Sequence, residues 1–132
     1  TAEYGVLSTV GTNGQPYGVP LSYVYRNNAI YFHCAPGGHK LDNIESNEKV
    51  SFCVVGNTKV LPDKFATEYE SAVIFGVASE VGEIERHDSL VWLLEKYCPV
   101  YIVEGKQYIE QMGKITKVFK IEIHHISGKA RR

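Results

Sequence analysis

Short apolar or alternating runs, separated by glycine, asparagine and proline, recur along most of the chain. Runs of this kind favour β-strands over helices. The Asn13-Gly14 pair and the Arg26-Asn27-Asn28 segment are typical of tight turns, so the first 33 residues are predicted to form an antiparallel meander. The predicted strands are Val6–Val10, about Tyr17–Tyr25, Ala29–His33, Val50–Val55, Ser71–Glu80 and Val118–Ile126.

The last two predicted strands contain a candidate bulge and a pair of adjacent histidines. Gly76 interrupts an apolar run and is a candidate for a β-bulge. Since His124 and His125 are neighbours in an alternating strand, they are expected on opposite faces, and no metal site is predicted. Strict alternation places Val118, Lys120, Glu122 and His124 on one face and Phe119, Ile121, Ile123 and His125 on the other.

Two segments have helical spacing instead. Leu41 and Ile44 lie three residues apart and predict a short helix that ends near Ser46-Asn47. A longer amphipathic helix is predicted with Asp88 or Ser89 as its N-cap, and His87 is expected to lie exposed just ahead of it. Its apolar stripe, interpreted as core rather than as a ligand pocket, consists of Leu90, Leu93, Leu94 and Tyr97.

Two stretches have no single pattern. Tyr101–Met112 is compatible with a helix or with irregular structure. Asn57–Glu70 contains Pro62 and mixed charges, and it is predicted to be a long loop. Loops of this length tend to be functional or mobile, so this segment could cover a site.

The length and the strand pattern together limit the architecture. The chain has 132 residues, enough for one domain with a single core but too few for two ordinary domains. Six antiparallel strands with helices outside predict a mainly β domain, and a small barrel is the natural arrangement because closure removes exposed sheet edges. The opening segment Thr1–Gly5 has the pattern of a last helical turn, so an N-terminal helix is predicted to precede it.

Charge and cysteine usage exclude several classes of protein. The formal net charge is −1, and basic residues cluster only in the tail 129–132, so nucleic acid is not an expected partner. No apolar stretch approaches the roughly 18 residues of a membrane span, and the start lacks a secretory pattern, so a soluble cytoplasmic protein is expected. Cys34, Cys53 and Cys98 are odd in number and widely spaced, which argues against disulfides and a zinc site.

The candidate chemistry follows the third predicted strand, in Pro36-Gly37-Gly38-His39-Lys40. Glycine lets the backbone approach a ligand closely, and the start of the next helix offers unpaired N–H groups at the positive end of its dipole. Lys40 adds a point charge, and His39 adds a hydrogen bond that strengthens when the ring is protonated. The pattern predicts a phosphate-binding turn, although a solvated connection between strand and helix fits the same residues.

The strand upstream of this turn favours the ligand interpretation. It contains Pro16, Gly18 and Pro20 and follows Gly14. Proline removes a hydrogen-bond donor from the ladder and glycine weakens a strand, so both indicate broken pairing or the approach of another group to the backbone. A flat ligand would fit along this strand.

Several segments, taken in order, resemble the flavin-binding split-barrel family related to pyridoxamine 5′-phosphate oxidase, and within it the nitroimidazole-resistance (Nim-type) branch. The match covers most of the chain, and the order and separations of the segments are more specific than any one of them. The segments are Pro16–Tyr25, Ile30–Ala35, Gly38–Asp42, Val50–Cys53 and Ile126–Lys129.

The resemblance implies a six-stranded antiparallel split β-barrel that binds FMN at a homodimer interface, so that both subunits touch each flavin. The implied phosphate ligands are His39 and Lys40. His33 is similar to a histidine that faces the flavin, which makes it the candidate catalytic residue, as a proton donor or substrate-orienting group. The other implied cofactor contacts are Val19, Pro20, Leu21, Ser22, Cys34, Ala35, Ser71 and Val73.

The activity that the resemblance implies is an FMN-dependent oxidoreductase, which takes electrons from NAD(P)H or another donor and reduces small aromatic or nitro-aromatic acceptors. The chain has no Gly-x-Gly-x-x-Gly motif, so a nicotinamide would bind only transiently over the flavin. Only Arg26 and Arg86 precede the basic tail, so vitamin B6 oxidation is not expected. Alternatives are a non-catalytic FMN carrier or sensor, a haem-binding split barrel with His33 or His124 as ligand, and a purely structural barrel.

Overall fold

The computed structural model describes residues 3–35, 37–56, 58–64, 66–112 and 116–131. Within these residues the strands are β1 (Gly5–Val10), β2 (Pro16–Leu21), β3 (Val24–Arg26), β4 (Ala29–Cys34), β5 (Lys49–Val55), β6 (Lys59–Leu61), β7 (Ala66–Glu80) and β8 (Lys117–Arg131). The helices are α1 (His39–Ser46), α2 (Glu83–Tyr97) and α3 (Ile102–Met112), with short 3₁₀ turns at Pro62–Lys64 and Pro99–Tyr101.

The strands form one curled antiparallel sheet in the order β2-β1-β5-β7-β8-β4-β3, and β6 pairs with β7 off this path. This is the mainly β split-barrel architecture that the resemblance implied. The described residues form eight strands rather than six, because one predicted strand is divided and β6 was not foreseen.

The predicted meander of the first three strands is confirmed at its two hairpins, since β1 pairs with β2 and β3 pairs with β4, but its continuous second strand is wrong. The Tyr17–Tyr25 run is interrupted at Ser22 and Tyr23, so that β2 lies at one end of the sheet beside β1 and β3 lies at the other end beside β4. The backbone of Tyr23 bonds to α2 instead of to a strand. Its N–H donates to the Tyr97 hydroxyl at 3.0 Å, and its carbonyl oxygen accepts from the Lys96 ammonium at 2.8 Å.

Two local predictions about turns and bulges are confirmed. Asn27 and Asn28 have φ of 53° and 59° and form the tight turn between β3 and β4. The register of β7 on β8 shifts between Phe75 and Gly76, which is the predicted bulge. A Cβ atom on Gly76 would collide with the carbonyl oxygen of Glu122, so the strands approach closely only because this residue is glycine.

The same bulge corrects the prediction for the two adjacent histidines. Phe75 pairs with His125 but Gly76 pairs with Ile123, so His124 is the extra residue of the bulge. The His125 ring stacks on Phe75 with centroids 6.0 Å apart, and His124 lines the same groove as Phe75. The alternation of side chains between the two sheet faces therefore stops at Ile123, and the prediction that His124 and His125 lie on opposite faces is wrong. Among the described residues, no three His, Cys, Asp or Glu side chains lie together as a metal site requires.

The long helix begins earlier than its predicted cap. Gly82 is the N-cap of α2, and Glu83 is its first residue. Asp88 is thus an interior helical residue, and Ser89 is buried and donates a 2.7 Å hydrogen bond to the Glu85 carbonyl oxygen. The cap prediction is wrong because serine inside a helix can satisfy its hydroxyl on the preceding turn.

The two stretches without a pattern are regular in the structure. Ile102–Met112 is helix α3. The predicted long loop Asn57–Glu70 is wrong, since β6, a 3₁₀ turn and the start of β7 form a hairpin there, although Asn57 and Phe65 lie outside the described residues. His87 is exposed, as expected, but lies within α2 rather than ahead of it.

Two groups of buried side chains hold the fold together. One fills the curled sheet and includes Leu7, Ile30, Phe32, Phe52 and Ile121. The other joins α2 to the outer side of β4 and β8 and includes Ala29, Tyr31, Leu90, Leu93 and Val118. None of the helices in the described part of the chain combines the length and the apolar composition that crossing a membrane demands.

Candidate functional site

The turn between β4 and α1 is open above its glycines. Ala35 precedes it and is exposed, and Pro36 lies outside the described residues. Gly38 is the N-cap of α1 with φ of 138°, a conformation that favours glycine. A Cβ atom on Gly37 or Gly38 would meet no atom within 4 Å, so a ligand can approach this backbone.

The first turn of α1 presents two basic side chains. His39 is exposed and Lys40 is half-buried, and no side chain caps the helix start. The leading N–H groups and the helix dipole give this end a partial positive charge. Asp42 also lies in the first turn and reduces that charge. The N–H groups, His39 and Lys40 together still suit a ligand that is an anion with several oxygen atoms.

The ring of His39 rests on β2. Its centroid lies 4.5 Å from that of Tyr17, with the planes tilted by 36°. The structure therefore brings together the two segments that the sequence had marked separately, the glycine turn and the strand rich in proline and glycine. Tyr17 limits the positions that the imidazole can take.

Side chains of β2 point in two directions. Val19 and Leu21 pack against the core of the sheet, whereas Pro20 and the following Ser22 are exposed. Alternate side chains of a strand lie on opposite faces. Of the four predicted flavin contacts from Val19 to Ser22, two side chains therefore face the core and two face outward. Only Pro20 and Ser22 can offer side chains to a ligand outside the sheet.

Val73 lies in the same cross-strand row as Pro20. Pro20 pairs with Val6, Val6 with Cys53, and Cys53 with Val73, so these side chains share the outer sheet face. Ser71, two residues before Val73, belongs to that face as well. Two strands separate Val73 from Pro20, so they are on one surface but are not in contact.

His33 projects from the outer side of β4, whereas Phe32 and Cys34 are buried in the core. The pKa of His33 lies below 6.5 because surrounding protein partly desolvates the ring and because the Lys40 ammonium is near. Burial raises the pKa of the Cys34 thiol, and Lys40 and Lys117 partly oppose that effect. At pH 7 the structure thus holds a neutral imidazole and a protonated thiol.

A cavity of about 530 Å³ lies between the end of β4 and helices α2 and α3. Two predicted site residues, Ser22 and His33, open into it. Leu90 and Leu93 of the α2 stripe are buried core, as interpreted from the sequence, and the whole stripe also faces this space. The lining is Ser22, His33, Leu90, Leu93, Leu94, Tyr97, Cys98, Tyr101, Gly105, Tyr108, Ile109 and Thr116.

Hydrogen bonds from Tyr97 hold one wall of this cavity. Its hydroxyl accepts from the Tyr23 N–H at 3.0 Å and lies 2.6 Å from the carbonyl oxygen of Glu3, to which it can donate. The Lys96 ammonium lies 3.6 Å from the centre of the Tyr23 ring. Ser22, next to Tyr23 in the chain, is therefore placed by α2. Helical spacing alone could not reveal this contact, which spans more than seventy residues.

A second groove, of about 520 Å³, lies on the outer face of the sheet. Ser8, Ser51 and Phe75 line it, and Phe75 is 53% exposed. Val55 on the same face is 50% exposed. This surface combines small polar residues with exposed apolar ones, and the predicted contacts Ser71 and Val73 lie on it.

A curled antiparallel sheet with an open, basic turn at a helix start and an apolar cavity at its edge defines a split-barrel protein. The chain belongs to the pyridoxamine 5′-phosphate oxidase family, whose family model matches residues 1–130. No curated protein matches the sequence.

Solved structures share this fold at low sequence identity. A protein from Bacteroides thetaiotaomicron, provisionally assigned to 5-nitroimidazole antibiotic resistance, is 21% identical with a TM-score of 0.81, over 97% of this chain and 76% of its own. An FAD and heme binding protein from Mycobacterium smegmatis is 17% identical with a TM-score of 0.86, over 100% and 67%. An FAD-binding protein from Mesorhizobium loti is 22% identical with a TM-score of 0.68, over 98% and 87%.

Proposed function

We propose that the protein binds FMN and is an oxidoreductase that reduces small aromatic or nitro-aromatic acceptors. The observation that carries the proposal is the pair His39 and Lys40 at the uncapped start of α1, below open space over Gly37 and Gly38. A phosphate with nearly two negative charges would be held by the ammonium, the imidazole and the leading N–H groups. The residues present therefore fit the phosphate end of FMN.

The remaining implied contacts fit in different ways. Pro20, Ser22 and Ala35 are exposed and can touch a flavin directly, as can Ser71 and Val73 on the outer sheet face. Side chains of Val19, Leu21 and Cys34 are turned to the core, so their proposed contribution is through the backbone. Flavin binding by relatives in the fold, among them the FAD-binding protein of Mesorhizobium loti, supports this assignment.

The bound flavin would supply the electron transfer, with NAD(P)H as the proposed donor. The neutral His33 would hold the acceptor by a hydrogen bond and supply or take up a proton at its ring nitrogen. Arg26 lies 4.9 Å from the centre of the Trp92 ring and Arg86 pairs with Glu83 at 3.5 Å. Both arginines therefore already contact side chains of α2, so neither is assigned to the phosphate of a vitamin B6 substrate. Oxidation of a phosphorylated vitamin B6 is not proposed.

A second copy of the chain is the proposed cover of the outer sheet face, which gives a homodimer with FMN between subunits. Support comes from the exposed Phe75 and Val55 and from the groove beside them. Exposed apolar patches of this kind are typical of interaction surfaces. The proposed location is the cytoplasm, which suits three unpaired cysteines.

A haem-binding protein is the second candidate, since His33 opens into an apolar cavity. A neutral imidazole in such surroundings has the chemistry of an axial haem ligand. The FAD and heme binding protein of Mycobacterium smegmatis shares the fold. An absorbance spectrum separates the two candidates, because flavin and haem have different visible bands.

The deciding experiment is an FMN titration followed by absorbance and flavin fluorescence. FMN should bind to the native chain, and Lys40→Ala should weaken binding about ten- to a hundred-fold through loss of roughly 1.5–3 kcal/mol of charge-assisted bonding. Lys106→Ala removes an exposed charge on α3 and is the matched control. Equal affinity in both variants would exclude Lys40 from the site, and absence of FMN binding would overturn the proposal.

A further inference from the structure

We infer that the cavity between β4 and helices α2 and α3 binds the electron acceptor and selects neutral aromatic molecules that carry a polar oxygen atom. This inference rests on the proposed FMN function and deepens it, because it assigns acceptor recognition to α2 and α3. These helices carry none of the residues proposed to hold the FMN phosphate.

The size and walls of the cavity suit a small apolar ligand. Its volume of about 530 Å³ falls within the roughly 300–1,000 Å³ that small-molecule sites occupy. Leucines of α2 form the floor, and the rings of Tyr97, Tyr101 and Tyr108 line the walls. Tyr101 and Tyr108 are 63% and 65% exposed, which places them at the mouth. Tyrosine rings favour aromatic ligands because offset or edge-on ring contacts add to simple burial.

The polar side chains on the sheet side of the cavity are uncharged at pH 7. Ser22, His33 and Thr116 come from the sheet side, and His33 is neutral because its pKa is lowered. The lining residues that the structure describes include no Asp, Glu, Lys or Arg. An anionic ligand would lose its hydration here without an ionic partner in the lining, because Lys40, the ammonium near His33, lies outside the lining and is assigned to the FMN phosphate. A neutral molecule with a nitro or carbonyl oxygen can instead accept a hydrogen bond at the His33 end.

Close packing of α3 on α2 bounds one side of the cavity. A Cβ atom on Gly105 of α3 would collide with the Leu94 side chain of α2, so the glycine lets the two helices approach. Tyr97 is held at its hydroxyl by the backbone of Tyr23. These contacts fix Leu94 and Tyr97 in place, and Leu94, together with Tyr108 at the mouth, is placed to determine which acceptor fits.

The probe for this site is 4-nitrobenzyl alcohol, with 4-nitrobenzoate as its anionic counterpart of similar size. Equilibrium dialysis measures binding of each compound to the native protein, both free of flavin and saturated with FMN. The neutral compound should bind at least roughly tenfold more tightly than the anion, since a carboxylate finds no charged partner in the cavity. The FMN titration is run separately on the same samples.

Variants test whether binding occurs in this cavity. Leu94→Trp should fill the space and abolish binding of 4-nitrobenzyl alcohol, whereas Ile84→Trp on the same helix, at a residue 83% exposed, should not. Tyr108→Ala should weaken binding by removing a wall, whereas Val103→Ala on α3, 67% exposed and outside the lining, should have no effect. If Leu94→Trp fails to fold, the comparison of Tyr108→Ala with Val103→Ala still tests the inference.

The two proposals fail in different ways. Loss of probe binding in Leu94→Trp or Tyr108→Ala, with FMN affinity and both controls unchanged, supports the inference. If neither compound binds the native protein, or if binding is the same in the cavity variants and controls, the inference is wrong while FMN binding stands. If FMN does not bind but the neutral probe does, the proposed oxidoreductase fails and only a ligand cavity remains.

Discussion

The hydroxyl of Tyr31 donates a 2.6 Å hydrogen bond to a carboxylate oxygen of Glu85, which joins β4 to α2 beside the cavity. Tyr31 is 3% exposed, and the same carboxylate accepts from the Lys120 ammonium at 3.3 Å. The bond raises the pKa of Tyr31, together with burial as the larger cause, to about 12. β4, α2 and β8 thus meet at one part-buried polar cluster.

Tyr31→Phe should destabilise the protein. The change removes the hydroxyl from a part-buried hydrogen bond to a charged group, which should cost about 1–2 kcal/mol of unfolding free energy. Urea unfolding followed by circular dichroism measures the loss. Tyr25→Phe is the matched control, because that hydroxyl lies on an exposed residue and bonds to Asn28 at 3.3 Å. Equal losses in the two variants would contradict the role given to Glu85.

Stability should fall in acid partly through Glu85. Its pKa is lowered from 4.5, chiefly by the bond from Tyr31, so the folded state binds a proton less readily than the unfolded state. The contribution is present above the unfolded pKa and is lost as pH falls through the folded pKa, which lies below 4.5. It is modest, because the Glu85 side chain is 35% exposed. Urea midpoints against pH should therefore decline less steeply in Tyr31→Phe, and parallel declines would refute this assignment.

Lys40→Met should raise the pKa of His33. Removing the ammonium takes away one of the two causes of the lowered pKa, while partial desolvation, the larger cause, remains. The pKa should therefore move up but stay below 6.5. Titration of the imidazole by NMR checks this, with Lys106→Met as control. A pKa unmoved by loss of Lys40 would show that the two side chains are not close in solution.

Gly76→Ala should be more destabilising than Gly128→Ala. A Cβ atom on Gly76 collides with the Glu122 carbonyl oxygen, and backbone cannot move aside as a flexible side chain can. Overpacking of this kind costs roughly 1–3 kcal/mol. On Gly128 the nearest atom is at 3.7 Å, an ordinary contact, so alanine should fit. Urea unfolding compares the two, and equal stability would mean that the bulge can open without cost.

Features that depend on neighbouring residues in the chain were predicted well. The Arg26-Asn27-Asn28 turn, the short helix with Leu41 and Ile44, and the strands around Val50–Val55 and Ser71–Glu80 agree with the structure. Asparagine tolerates positive φ, and apolar periodicity follows the geometry of the element that it belongs to. The glycine turn with His39 and Lys40 was also visible, since a helix start needs only local residues.

The sequence by itself determined that the chain is a mainly β domain with a basic turn between a strand and a short helix. Only the tertiary structure decided that the Tyr17–Tyr25 run divides, because Tyr97 and Lys96 capture the backbone of Tyr23 from far along the chain. It also decided that the apolar stripe of α2 lines a cavity, since α3 packs on Leu94 through Gly105 and leaves space toward His33. An apolar periodicity shows which face of a helix avoids water, but the shape of the neighbouring surface decides whether that face is filled by protein or by a ligand.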